Sequence, residues 1–168
     1  MTDRRRRALW GTTTVSISPT ILFKVHELWT STSSIITQKL PSSNISFAFG
    51  FQSMPKSPPE SIPNGLGILP SVSPEKDWVN LLVTFQYIDN SLTKDLESIM
   101  LDVINKIDGI AKGEGVNVVY KYMDYAHWKQ DVFGGYGADA IQDMQKVAMD
   151  YDPLGMFQHQ VIGGFKVF

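Results

Sequence analysis

The chain has 168 residues, of which 43% are hydrophobic and only 19% are charged. This length predicts a single domain over residues 1–168 with a sizeable apolar core. A formal net charge of −2 is atypical of nucleic-acid-binding proteins. No apolar run reaches the roughly 18 residues that a membrane helix needs. We therefore expect neither nucleic acid nor membrane as a partner, and a cytoplasmic location. The lack of cysteine excludes disulfides and thiol chemistry.

The first part of the chain predicts a strand followed by a helix. Residues 8–16 are rich in threonine and valine and alternate loosely, as strands do. Ser18 and Pro19 are typical of a helix start, and apolar residues follow at helical spacing as far as Trp29. We expect Trp10 and Trp29 to lie in the core.

Two further strands are predicted on either side of a long loop. Residues 44–54 alternate clearly between apolar and small or polar side chains. Residues 53–76 hold most of the prolines and predict an irregular loop, and Trp78 to Ile88 returns to a strand pattern. One face of that strand carries Leu81, Val83, Phe85 and Tyr87, and the other carries Leu82, Thr84, Gln86 and Ile88.

The remaining sequence predicts helix, strand and helix. A wide apolar stripe over residues 91–112 indicates the longest helix of the chain. Residues 116–125 predict a strand, and residues 137–150 predict a last helix that stops before Pro153. The side chains expected to share one face of the third strand are Val118, Tyr120, Tyr122 and Asp124.

This order of elements predicts an α+β fold with a ferredoxin-like antiparallel sheet and three helices packed on one face. Both faces of the sheet carry apolar residues, whereas the helices cover only one. We therefore expect the second face to meet a ligand, a partner subunit or a missing domain. One arrangement that would bury it is a homodimer in which two sheets stack face to face.

The uncovered face has the composition of a small-molecule pocket, half apolar with a few polar groups. Tyr122 is expected to donate a hydrogen bond to a substrate carbonyl, with Asp124 orienting it or acting as a base if burial raises its pKa. The alternative is that the tyrosines simply cover the sheet or pack in a dimer interface. The pocket residues that we expect on the sheet are Leu82, Thr84, Gln86, Tyr120, Tyr122 and Asp124.

The loop after the third strand supplies two further candidates. His127 and Trp128 follow the strand directly and are predicted to rim the pocket, although such a cluster is also common on plain surfaces. The histidines of the chain are scattered without ligand spacing, so we expect no metal site.

Several short motifs resemble the C-terminal portion of fungal FAD-linked oxidoreductases of the berberine-bridge-enzyme-like family. The segment Tyr151-Asp152-Pro153-Leu154-Gly155-Met156-Phe157-Gln158 and the later Gly163-Gly164-Phe165-Lys166 are similar to the ending of that family. Tyr122-Met123-Asp124-Tyr125-Ala126 resembles its Tyr-x-Asn-Tyr-Ala strand end. The resemblance covers nearly the whole chain.

The resemblance implies a substrate domain without the FAD-binding domain, which in that family lies N-terminal and carries the residues that tether the flavin. It places the family's catalytic base at Tyr122, its acid or amide at Leu82, and its strand asparagine at Asp124. Two of these three positions depart from the family pattern, and the chain has no glycine-rich phosphate loop. We therefore expect no cofactor and no flavin oxidation by this chain alone.

A pocket retained without redox machinery favours a reaction that needs only shape and hydrogen bonds. We expect a flavin-independent cyclase acting on an apolar fungal secondary metabolite, through a pericyclic, Diels–Alder-type cyclisation. A hydrogen bond from Tyr122 or Gln86 would activate the dienophile carbonyl. The alternatives are a non-catalytic ligand-binding or partner subunit of a split FAD-linked oxidoreductase, and a truncated chain with no function of its own.

Overall fold

A computed structural model describes residues 6–40, 44–56, 68 and 77–168. Most of the loop predicted over residues 53–76 lies outside the described residues. The elements in chain order are β1 (Arg7–Ser16), α1 (Pro19–Lys39), β2 (Ser46–Ser53), β3 (Trp78–Tyr87), α2 (Thr93–Gly113), β4 (Asn117–Val118), α3 (Ala138–Tyr151) and α4 (Met156–His159).

The four strands form one antiparallel sheet in the order β2-β3-β1-β4. This order, with α1 and α2 as the connections, confirms the predicted ferredoxin-like α+β fold. The central pair is the longest, because β1 and β3 match along ten residues each, from Arg7 opposite Tyr87 to Ser16 opposite Trp78. The side chains of opposite residues point to the same face of the sheet.

The first face of the sheet packs against α1 and α2. The Ser18 side chain caps α1 by accepting a hydrogen bond from the Ile21 amide. Before α2, the Asp89 side chain accepts from the Ser91 amide and forms a 3₁₀ turn, so α2 begins at Thr93 rather than at residue 91. The fully buried side chains of this core include Val15, Ile21, Val25, Leu81, Val83, Phe85, Leu96, Met100 and Ile107.

The prediction that three helices cover the sheet is wrong for α3, which has no buried residue. Its partner is the end of the chain: the Gln145 amide donates to the Val167 carbonyl at 2.6 Å, and the Val167 amide donates to Gln158 Oε1 at 3.1 Å. These bonds hold the tail against α3 and α4 while many of its apolar side chains face outward.

None of the helices in the described part of the chain has the length and apolar character of a membrane-spanning segment.

The strand predicted over residues 116–125 is also shorter than expected. In the described part of the chain only Asn117 and Val118 form a ladder with β1, which is continued by one hydrogen bond from the Ser16 amide to the Val116 carbonyl. Beyond them the side chain of Gln130 takes the place of a strand, because it accepts from the Thr12 amide at 3.0 Å and donates to the Thr12 carbonyl at 2.7 Å. Residues 119–122 follow without a backbone ladder, but their side chains still alternate, because Tyr120 and Tyr122 lie on one side while Lys121 contacts Asp108 of α2 on the other.

The second face of the sheet is not uncovered along its whole length, contrary to the prediction. A second cluster buries one end of it, and within that cluster Trp78 contacts Tyr120 edge to face at 5.7 Å between ring centroids. Asn80 lies beneath the same cluster, fully buried, and accepts a short hydrogen bond from the Thr12 hydroxyl. The buried members of the second cluster are Met54, Ile68, Trp78, Val118 and Tyr120.

Gly11 is the point of closest approach between β1 and α2. A Cβ atom at this position would lie 2.5 Å from Ile104 Cδ1 and 3.3 Å from Met100 Sδ. We therefore expect Gly11→Ala to destabilise the fold by about 1–3 kcal/mol, as overpacked cores do. Chemical denaturation of the variant and the wild type measures the difference.

Two further variants make the Gly11 prediction specific. Gly50→Ala should be close to neutral, because its Cβ would meet only Leu82 atoms at 3.5 Å or more. Adding Ile104→Val to Gly11→Ala removes the clashing methyl, so the double variant should lose less stability than the two single losses added together. A Gly11→Ala variant as stable as the wild type would refute the close approach.

Candidate functional site

Away from the second cluster, the second sheet face remains accessible and forms the candidate site. We call it the open face and define it by Trp10, Leu82, Thr84, Gln86, Tyr122, Asp124 and Tyr125. Trp10 lies opposite Thr84, and Thr12 lies opposite Leu82, in the β1–β3 register. On β2 the corresponding partners are Ala48 and Gly50, whose small side chains leave this part of the sheet flat.

Three aromatic rings form a wall along one side of the open face. The ring centroids of Trp10 and Tyr125 lie 5.5 Å apart, and those of Tyr122 and Tyr125 lie 4.9 Å apart in a nearly perpendicular arrangement. Trp10 is 41% exposed, so its predicted place in the core is wrong. Sequence reasoning missed Trp10 and Tyr125 as site residues, although Trp10 alternates with Leu9 and therefore belongs to the face away from the helices.

The position of Tyr122 is fixed from both sides of the chain. Its predecessor Lys121 reaches towards the helices and contacts Asp108 Oδ2 of α2 at 3.1 Å. The next turn is a 3₁₀ helix over Met123–Tyr125, in which the Tyr125 amide donates to the Tyr122 carbonyl at 3.1 Å. The ring of Tyr122 packs beside the second cluster.

The Tyr122 hydroxyl donates to Asp124 Oδ2 at 2.9 Å. This hydrogen bond to a carboxylate, more than burial, raises the pKa of Tyr122 above its ordinary value. The phenol therefore stays protonated at neutral pH, with its proton directed at Asp124. Its oxygen lone pairs remain available to accept a hydrogen bond from a hydroxyl or enol of a ligand.

Tyr120 supports the site from below and is not part of its surface. It is fully buried between Trp78 and Tyr136, whose ring centroid lies 5.7 Å from its own. Burial raises the pKa of Tyr120, and it also raises the pKa of Tyr136. Both phenols are therefore neutral packing groups with a polar end, rather than groups that transfer protons.

Gln86 lies where the open face meets a neighbouring cleft. Its side chain is exposed, two positions along β3 from Thr84. The cleft has a volume of about 500 Å³ and is polar on several sides. Its lining residues are Arg6, Asn44, Ile45, Ser46, Gln86, Tyr87 and Ile88. The amide of Gln86 therefore offers both a donor and an acceptor at the point where the two surfaces meet.

His127 lies beside α2 rather than on the open face. Its Nε2 is 3.0 Å from Glu97 Oε1, and its Nδ1 accepts from the Lys129 amide at 3.3 Å. Burial lowers the pKa of His127, and the charge of Glu97 offsets only part of that effect. The Lys129 ammonium, 2.7 Å from Glu97 Oε2, lowers the pKa of the carboxyl. The neutral imidazole with its proton on Nε2 satisfies both contacts.

Trp128 is 71% exposed, and its ring lies next to His127 and under the Lys129 ammonium. The structure therefore brings Tyr122 and Asp124 together and places Leu82, Thr84 and Gln86 on the same face. It separates His127 from them, because the turn over residues 127–130 folds back to bond to β1 and α2.

The chain is similar to several fungal enzymes, although no family model and no solved structure matches it. It is 38% identical to the FAD-dependent monooxygenase drtC of Aspergillus calidoustus over 66 residues, which are 39% of this chain and 13% of that protein. Identity to the FAD-dependent monooxygenase sdcF of Emericella nidulans is 28% over 93 residues, covering 55% and 19% of the two chains. Identity to the bifunctional solanapyrone synthase of Alternaria solani is 32% over 73 residues, covering 44% and 14%.

These matches indicate kinship with fungal oxidoreductase-like enzymes, and each spans less than a fifth of the relative's length. The open face does not fit the pyrophosphate of the FAD named in two of these relatives. Its defining residues include no lysine or arginine, and neither strand-to-helix connection, 17–18 or 88–92, contains the glycines of a phosphate loop.

The buried His127 predicts a dependence of stability on pH. Since folding lowers the pKa of His127 below 6.5, the unfolded chain binds a proton near that pH which the folded chain does not. The free energy of unfolding should therefore fall as the pH drops from about 7 to about 5. His127→Gln should lose part of this slope, at a cost of about 1 kcal/mol at neutral pH.

Urea denaturation at a series of pH values measures this dependence. His159→Gln, at an exposed position, controls for the loss of a histidine. If His127→Gln and the wild type lose stability in parallel between these pH values, the buried neutral imidazole is refuted.

Proposed function

We propose that the open face is the active site of a cofactor-independent cyclase that folds a conjugated apolar small molecule for a pericyclic, Diels–Alder-type cyclisation. The observation that carries the proposal is the aromatic wall of Trp10, Tyr122 and Tyr125 beside a flat strand surface. In such a reaction two carbon–carbon σ bonds replace two π bonds within one substrate, and no proton or electron leaves it. The protein therefore has to supply only conformation and hydrogen bonds.

The shape of the face suits an extended conjugated chain. Leu82 and Thr84 provide a partly buried floor, and the small residues opposite them on β2 leave room above it. Holding diene and dienophile together in a reactive geometry removes an entropic barrier, which in well-oriented systems reaches about 7–11 kcal/mol. The rings of Trp10 and Tyr125 exclude water from one side of that surface.

Two polar groups orient the substrate on the open face. The Gln86 amide donates to the dienophile carbonyl, which draws electron density from the double bond as the transition state forms. The Tyr122 oxygen accepts from a hydroxyl or enol at the other end of the substrate, because its own proton is bonded to Asp124. Tyr122 is thus assigned a positioning role in place of the donor role expected from sequence.

The similarity to fungal enzymes also supports the cyclase proposal. We place the chain with the substrate domain of the berberine-bridge-enzyme-like oxidoreductases, on the motifs around Tyr122 and Tyr151. The relatives' names describe fungal monooxygenases and a bifunctional synthase, so fungal secondary metabolism is the setting that we propose for this chain. A cytoplasmic location belongs to the same proposal.

A second candidate is a partner subunit of a split FAD-linked oxidoreductase. It is favoured by the outward apolar side chains near the C-terminus, where Leu154 is 90% exposed. Together with the FAD-dependent names of the relatives, this surface suggests a flavin-binding partner. Its large exposed apolar residues are Val147, Met149, Tyr151, Leu154, Met156, Phe157, Val161 and Ile162.

The cyclase proposal predicts that specific variants slow cyclisation. A linear polyene joined to an unsaturated ketone serves as the probe, and cyclised product is quantified by liquid chromatography and mass spectrometry against the uncatalysed rate. Gln86→Ala and Tyr122→Phe should each lower the rate about tenfold, the value of one hydrogen bond of about 1.4 kcal/mol. Trp10→Ala should lower it further because the wall is lost.

Trp128→Ala is the matched control, since this exposed tryptophan lies outside the open face. It should cyclise the probe at the wild-type rate. Equal rates for the wild type, the Trp10 variant and the uncatalysed reaction would reject the cyclase. Co-purification of the chain with a separate flavin-binding subunit would support the partner-subunit alternative instead.

A further inference from the structure

The outer edge of β2 is a second surface that is suited to binding a partner. Among the described residues β2 pairs only with β3, so its other edge has no strand beside it. The strand reads Ser-Phe-Ala-Phe-Gly-Phe-Gln-Ser and contains neither a charge nor a proline. Sheet edges that remain exposed usually carry charged residues or proline, because these residues block pairing with another chain.

The ladder shows which backbone groups point outward. The Met54 amide donates to the Trp78 carbonyl at 3.2 Å, and the Thr84 hydroxyl lies 3.5 Å from the Ala48 carbonyl. Hydrogen-bonded pairs alternate along an antiparallel ladder, so the even-numbered residues of β2 bond to β3. The N–H and C=O groups of Phe47, Phe49 and Phe51 therefore face the free edge.

We propose that β2 pairs antiparallel with β2 of a second copy about a two-fold axis at Phe49. The strand is self-complementary in this register, with Phe49 opposite its own copy and Phe47 opposite Phe51. On the other face Ala48 meets Gly50, and Ser46 meets Gln52. Each phenylalanine pair exchanges both of its backbone hydrogen bonds, and the two sheets become one continuous sheet.

An apolar groove beside the edge fits this partner. It has a volume of about 190 Å³ and lies between α1 and β2. Phe51 is 54% exposed, and the register places the partner's copy of it opposite Phe47, in the wall of the groove. Burying such aromatic pairs across two strands stabilises the pairing. The groove is lined by His26, Trp29, Phe47, Ala48, Phe49 and Phe51.

This edge-to-edge dimer is independent of the cyclase proposal and leaves the open face accessible. It differs from the face-to-face stacking expected from the sequence, which would bury Thr84 and Trp10. The two arrangements place different residues near the two-fold axis, so cross-linking distinguishes them.

Cysteine cross-linking tests the register, because the native chain has no cysteine. Ser46 and Gln52 are both exposed, and the proposed register places them as a non-hydrogen-bonded pair about 4.5 Å apart between Cα atoms, within disulfide range. Ser46→Cys/Gln52→Cys should therefore oxidise to a covalent dimer. Each single variant should stay monomeric under denaturing electrophoresis, because its own copies lie about 20 Å apart.

Sedimentation of the full chain over a range of concentrations gives the second readout. The wild type should form a reversible dimer, and Phe51→Lys should weaken it at least tenfold. Phe157→Lys, at an exposed phenylalanine near the C-terminus, should leave it unchanged. A wild type that is monomeric throughout, failure of the double cysteine variant to cross-link, or cross-linking of Thr84→Cys would overturn the edge-to-edge dimer.

Discussion

The pairing of β1 with β3 is the constraint on which the rest of the structure depends. Because side chains alternate along a strand, one register decides both faces of the sheet at once. Leu9, Gly11 and Val15 point to the helices, so Trp10 and Thr12 must point away from them. The helix side is closed tightly enough that a single methyl group at Gly11 would meet α2. The helices do not cover the opposite face, so other segments of the chain or a ligand must cover it.

The chain covers that opposite face only in part. The second cluster, centred on Trp78 and Tyr120, closes one end and gives the neighbouring segment a rigid base. Tyr122 follows directly on this base and is held on the other side by the bond from Lys121 to Asp108. The remaining surface joins three aromatic rings to a hydroxyl–carboxylate pair and an exposed amide. This combination of a fixed apolar wall and few polar groups is what a small-molecule site requires.

The strongly patterned parts of the fold could be predicted from sequence. The alternation along β3 and the capping residues before α1 led to the observed elements and to the ferredoxin-like topology. Side-chain period alone failed after Val118, because an extended segment alternates whether or not it pairs with a neighbour. The long-range bonds of Gln130 to Thr12 and of His127 to Glu97 explain why that segment leaves the sheet, and no local pattern reveals them.

The candidate site, like the fold, could be predicted only in part from the sequence. Strand alternation predicts that Leu82, Thr84 and Gln86 share one face, but it does not show that Tyr120 is buried or that the Tyr122 hydroxyl donates a hydrogen bond to Asp124. The expectation that Trp10 lies in the core is wrong, because its side chain is exposed on the second face of the sheet. Its exposure follows from its alternation with Leu9, which puts Trp10 on the face that the helices do not cover.

We propose that the open face binds a conjugated small molecule between Trp10 and the flat strands. The most direct measurement is an amide and indole chemical-shift titration of the labelled protein with a non-reactive, reduced analogue of the polyene ketone. We expect saturable shifts at Trp10, Thr84, Tyr122 and Tyr125, with little change at Trp29 and Trp128. Shifts confined to the groove at Trp29, or none at saturating analogue, would contradict it.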